Sequence, residues 1–207
     1  MVTTAAGDPT TARRAVLRRR IRLLAWSIIG YNVIEALIAL SAGIQASSTA
    51  LVGFGLDSVI EVAAAAAVAW QFAAEDPERR EKAALRFIAV SFFALAAYVT
   101  VESVLALAGI GEPRPSPLGI ALAAVSLAVM PLLAWAQIRT GREIGSTSAV
   151  AEAKQTLLCS YLSAALLVGL GLNALFGWSW SDSVAALVIA GFAVREGLEA
   201  WRGDPCC

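Results

Sequence analysis

The chain runs to 207 residues, with 16 basic side chains against 16 acidic ones, no histidine and 58% apolar residues. Charge at only 15% of positions and a mean hydropathy of +0.71 exclude an ordinary water-soluble domain. Zero net charge gives no nucleic-acid signature.

Residues 1–12 are small and polar and are expected to be disordered. Arg13, Arg14, Arg18, Arg19, Arg20 and Arg22 then complete a basic segment, 1–22, that predicts an interfacial helix on anionic membrane lipid. The first apolar run starts near residue 23, is too long for a signal-peptide core and lacks a cleavage site, so it reads as a retained span. Six spans are predicted, at roughly 23–43, 48–72, 84–109, 117–138, 148–173 and 181–201. They make one membrane domain, 23–201, followed by a short tail, 202–207. The expected fold class is an all-α membrane protein with six transmembrane helices.

Span one carries Glu35, four residues after Tyr31. An intrahelical Tyr–Glu hydrogen bond and a flanking ligand or proton acceptor are both open readings. Span two holds the most informative pair, Asp57 and Glu61. Four residues apart on a helix, they share a face about 6 Å apart along the axis. Carboxylates inside hydrocarbon need protons, a partner or a bound cation, and no basic residue lies in that segment. The pair points to a cation pathway. A charged loop, Glu75 to Lys82, leads to span three, where Tyr98 and Glu102 repeat the span-one spacing. Pro113, Pro115 and Pro117 stiffen the next loop. Pro131 kinks or hinges span four, and a polar loop covers Arg139 to Ser148. Span five opens with Glu152 and Lys154, read as a solvated mouth or a charge pair, and continues to Gln155 and Cys159. Asp182, at the start of span six, reads as that helix's N-cap. Three cysteines are too few for a disulfide framework, and Cys206-Cys207 reads as a bland tail.

Lys and Arg set the orientation. They crowd the N-terminus, the second and fourth loops and the C-terminal flank, whereas the other side offers only Arg114. Both termini are therefore expected in the cytoplasm. Trp70, Trp135 and Trp201 would mark the inner interface, and Trp178 and Trp180 the outer one.

A weak internal repeat lays Ser48–Ser58 over Ser146–Thr156, matching Asp57 to Gln155 and Glu61 to Cys159. Spans two and five would run antiparallel, which sets Cys159 level with Asp57 and Gln155 level with Glu61. Gln155 is open to ligation through its carbonyl or to helix bridging. Cys159 is a small buried residue by base rate, and as a thiolate it would favour zinc over magnesium or calcium.

With these residues in view, the chain resembles the cation diffusion facilitator family of divalent metal transporters over roughly residues 14–201. The likeness rests on Asn32, on Ala42-Gly43 with the Ser48-x-Ala-Leu run, on Arg142 to Glu152, and on Trp180-Ser-Asp182 through Arg195-Glu196-Gly197. The family's transport site pairs a His or Asp with an Asp four residues on, in spans two and five. Carried over by position, the resemblance implies a metal site of Asp57, Glu61, Gln155 and Cys159, with Glu35 beside it. The lack of histidine and the Gln155 and Cys159 replacements depart from that pattern. With only residues 202–207 after span six, the chain resembles a minimal, divergent member without the family's cytoplasmic domain.

The function expected is efflux of a divalent transition metal, zinc first and cobalt, manganese or iron next, by proton-coupled alternating access between spans two and five. The metal would be cargo, with no resident cofactor. Expected partners are the metal ion, protons, membrane lipid and, by resemblance, a second copy in a homodimer, in a cell membrane of bacterial inner-membrane type. The alternatives are a metal-binding sensor or modulator without transport, and a structural membrane partner. No nucleophile–base pair suggests an enzyme.

Overall fold

The computed structural model describes residues 9–72, 77–110, 113–144 and 147–202. Its helices are α1 (Pro9–Ala46), α2 (Thr49–Phe72), α3 (Pro77–Leu107), α4 (Pro117–Ile144), α5 (Thr147–Phe176) and α6 (Trp180–Arg202), and no strand occurs among the described residues. Long runs of Ala, Leu, Val and Ile without water to bond the backbone leave helix as the available solution. Among the described residues, four stretches are long and apolar enough to cross a membrane: Arg19–Ala46, Leu85–Leu107, Pro117–Glu143 and Cys159–Phe176. The all-α, multi-pass membrane character expected from sequence is what the fold shows.

The helices close a ring in the order α1, α2, α3, α6, α5, α4, with α4 returning to α1, and α2 also reaches across to α5 and α6. Small residues let the helices approach. A Cβ at Gly169 of α5 would stand 2.6 Å from that of Ala185 on α6, so only glycine fits this crossing. Ala39, Leu51, Phe54, Val99, Leu166 and Ile189 belong to one buried core, while Leu37, Ile44, Leu132 and Leu175 are exposed, as lipid-facing side chains are.

Several helix limits differ from the sequence reading. The basic segment is not a separate interfacial helix: α1 runs unbroken from Pro9, because proline suits a first helical position and nothing after it breaks the helix. Residues 9–12, expected disordered, are its first turn. Arg13 lies 3.7 Å from Glu143 of α4, which joins the two helices at that end. The charged loop shortens because α3 already begins at Pro77, and Arg139 and Arg142 lie on α4 rather than in a loop. Glu75, Asp76, Cys206 and Cys207 lie outside the described residues, as does the side chain of Trp70.

The largest local correction concerns Asp182, which caps α2 rather than its own helix. After α1, Ser47 turns the chain through a left-handed conformation (φ 53°). Ser48 then accepts the Leu51 N–H at 3.1 Å and donates to Asp182 Oδ1 at 2.5 Å. The other Asp182 oxygen accepts the Ala50 N–H at 3.3 Å. Two orphan amides at the start of α2 are thereby satisfied, one of them by a side chain from α6. Because α2 carries Asp57 and Glu61, this contact fixes the height of both. Asp182→Ala is expected to destabilise the protein by about 1–2 kcal/mol, read as a lower melting midpoint in detergent, with Asp182→Asn falling between it and the native chain.

Candidate metal centre

One carboxylate oxygen each from Asp57 and Glu61 and the sulfur of Cys159 lie within 4.8 Å of one another. Asp57 and Glu61 are successive turns of α2, and Cys159 comes from α5 across the ring. Asp57 is only 6% exposed, and Cys159 is buried as a free thiol. Among the described residues no donor bonds to Asp57. Glu61, half-buried, is held from two sides: Asn32 Nδ2 of α1 donates to its Oε2 at 2.7 Å, and the Cys159 thiol donates to its Oε1. Cys159 thus bonds to Glu61, one turn from the partner that the antiparallel register predicted, while staying within reach of Asp57.

Gln155 sits on α5 one turn before Cys159, and its side chain lies outside the described residues, as do those of Glu152 and Lys154. Glu35 is fully buried beside the cluster, not in it. Its two oxygens accept from Ser58 of α2 at 2.9 Å and from Ser126 of α4. Tyr31 pairs with Ser126 at 2.7 Å, so a serine bridges tyrosine to glutamate in place of a direct intrahelical bond. Glu102 lies apart on α3, near enough to Tyr98 to bear on it electrostatically.

Sequence reasoning missed Glu196. It is buried on α6 and lies near enough to bear electrostatically on both Asp57 and Glu61. The signal was present. Ala186, Ile189, Ala190, Ala193, Gly197 and Ala200 form a buried stripe at three- and four-residue spacing, and Glu196 falls within it.

Chemically, two carboxylates and a thiol offer oxygen and sulfur donors to a cation. A tetrahedral zinc with bonds of about 2.0–2.3 Å sets its donors roughly 3.3–3.8 Å apart. Donors within 4.8 Å reach that shell by small side-chain rotations. A cation held by both Cys159 and Glu61 would displace the thiol proton that now joins them.

A family model described as the cation efflux transmembrane domain matches residues 25–202. An uncharacterized transporter of Synechocystis sp. is 27% identical over 188 residues, an alignment that takes in 82% of this chain and 58% of the relative's own length.

Proposed function

The chain belongs to the cation efflux family, and from that premise we propose that it exports a divalent transition-metal cation from the cytoplasm in exchange for protons. The observation that carries this reading is the convergence of Asp57, Glu61 and Cys159 from two helices on one point. A structural contact would not need three ionisable groups so close together, because serine or threonine joins helices without the cost of buried charge.

In the loaded state Asp57 and Glu61 supply anionic oxygens and Cys159 a sulfur, which suits zinc and its borderline neighbours cobalt and iron better than manganese or magnesium. Gln155, one turn before Cys159 on α5, is a further candidate ligand through its carbonyl. Loading displaces the proton shared by Cys159 and Glu61. In the outward-facing state, return of protons to the same atoms weakens the shell and releases the cation. Glu35, with its oxygens occupied by Ser58 and Ser126, fits a proton carrier beside the site better than a ligand. Glu196 adds negative potential from α6, which draws a dication inward.

The sign of the pH dependence follows from the donor set. Every donor binds metal best without its proton, so affinity rises with pH and falls on acidification. The test is counterflow in proteoliposomes: an inward zinc, cobalt or manganese gradient is expected to drive saturable metal uptake with proton release from the lumen. Saturable binding in detergent with no flux in vesicles would select a sensor instead. No binding of any of these metals would leave only a structural role.

A further inference from the structure

We propose that Asn32 is a fourth donor of the cation site, its amide oxygen completing the shell and its amide NH2 holding Glu61 while the site is empty. This rests on the reading of Asp57, Glu61 and Cys159 as the cation site.

Asn32 is 3% exposed on the face of α1 that also buries Glu35, Ala36 and Ala39. Its Nδ2 is engaged with Glu61 at 2.7 Å. Its Oδ1 is buried and has no hydrogen-bond partner among the described residues. A carbonyl oxygen left dry and unpaired is unfavourable, and its position one amide away from a metal-binding carboxylate marks what would satisfy it. The Cβ–Cγ torsion of asparagine is broad and roughly two-fold, so the amide exchanges NH2 for oxygen at nearly constant volume. Turned over, it places Oδ1 where Nδ2 now stands, in contact distance of Glu61 Oε2, as neighbouring ligands on one metal are.

The residue type suits both states. In the empty site NH2 donates to an anionic Glu61, which a serine at this distance would not reach and an aspartate would repel. In the loaded site the oxygen is a neutral donor. Two carboxylates and a thiolate already exceed the charge of a dication, so a neutral fourth ligand completes the coordination without adding repulsion. Amide carbonyls are oxygen ligands for hard and borderline cations.

The test uses the full chain in detergent with Co²⁺ alone as probe, read by visible absorption and by competition titration. Asn32→Leu is expected to weaken Co²⁺ binding by at least about tenfold and to change the ligand-field bands, while the sulfur-to-cobalt charge-transfer band survives at saturating metal. Asn32→Asp keeps an oxygen but loses the NH2. The repulsion it adds is strongest in the empty site and is relieved by the dication, so the variant's affinity is expected to stay within about threefold of native or to tighten. Asn32→Ala serves if the leucine variant fails to fold. Native affinity in Asn32→Leu overturns the proposal. So does an Asn32→Asp variant as weak as Asn32→Leu, which would make Asn32 a brace for Glu61 and nothing more. Failure of the underlying site looks different: Asp57→Ala and Cys159→Ala would then bind Co²⁺ like the native chain.

Discussion

Asp57→Ala is expected to abolish saturable metal binding and to bring metal-driven proton counterflow down to that of protein-free vesicles, a loss of about a hundredfold or more. Asp57 has no hydrogen-bond donor among the described residues, yet it is 6% exposed beside Glu61 and Cys159. Packing alone gives no reason for a carboxylate there. Replacing an unpaired buried acid with an apolar side chain removes a desolvation penalty, so the variant is expected to melt no lower than the native protein. Lost transport with an undiminished melting midpoint separates a functional role from a structural one. Lys154→Ala, which changes charge on the same α5 that carries Cys159, is expected to keep most of the flux. Undiminished counterflow in Asp57→Ala would remove the site from α2 altogether.

The parts of this molecule that sequence exposes are those in which chemistry contradicts surroundings. Asp57 and Glu61 were legible because two acids interrupt an apolar run at one helical turn, and the lipid phase makes that arrangement expensive. Cys159 was legible only through the repeat and the family likeness, since a cysteine in an apolar helix carries no signal of its own. The helix count followed from hydropathy. The ends did not: Pro9 and Pro77 start helices in charged sequence, where hydropathy is silent and the capping preference of proline decides.

Contacts between helices are the part that periodicity hides. Asp182 stands where a local rule assigns it to its own helix, and nothing in the neighbouring residues says that its carboxylate crosses to Ser48 and Ala50 of α2. The Asn32–Glu61 bond joins residues on two helices, and no spacing argument within either helix predicts it. Glu196 is a different case. It sits in a charged stretch with Arg195 and Glu199, which pair at 2.9 Å on the exposed side of α6. Its charged neighbours give no hint of burial, whereas its phase on the helix puts it inside.

Metal preference is where Cys159 has its largest expected effect. Cys159→Ser keeps a hydroxyl able to donate to Glu61, so the empty site retains its hydrogen bond and its size. What it loses is the polarizable sulfur, the single soft donor in the three-residue cluster, in a chain with no histidine to replace it. Thiolate favours zinc and cobalt, whereas carboxylate and hydroxyl oxygens favour manganese and magnesium. Zinc affinity is therefore expected to fall about ten- to a hundredfold, with manganese affinity nearly unchanged, so the ratio of the two dissociation constants carries the result. Cys159→Asp should go further and turn the site into an all-oxygen one that prefers manganese. The charge-transfer band of the cobalt-loaded protein should vanish in both variants. An unchanged zinc-to-manganese ratio together with a native cobalt spectrum would mean that Cys159 only packs beside Glu61. The cation would then be held by oxygen donors alone, and its identity would have to be sought among harder ions.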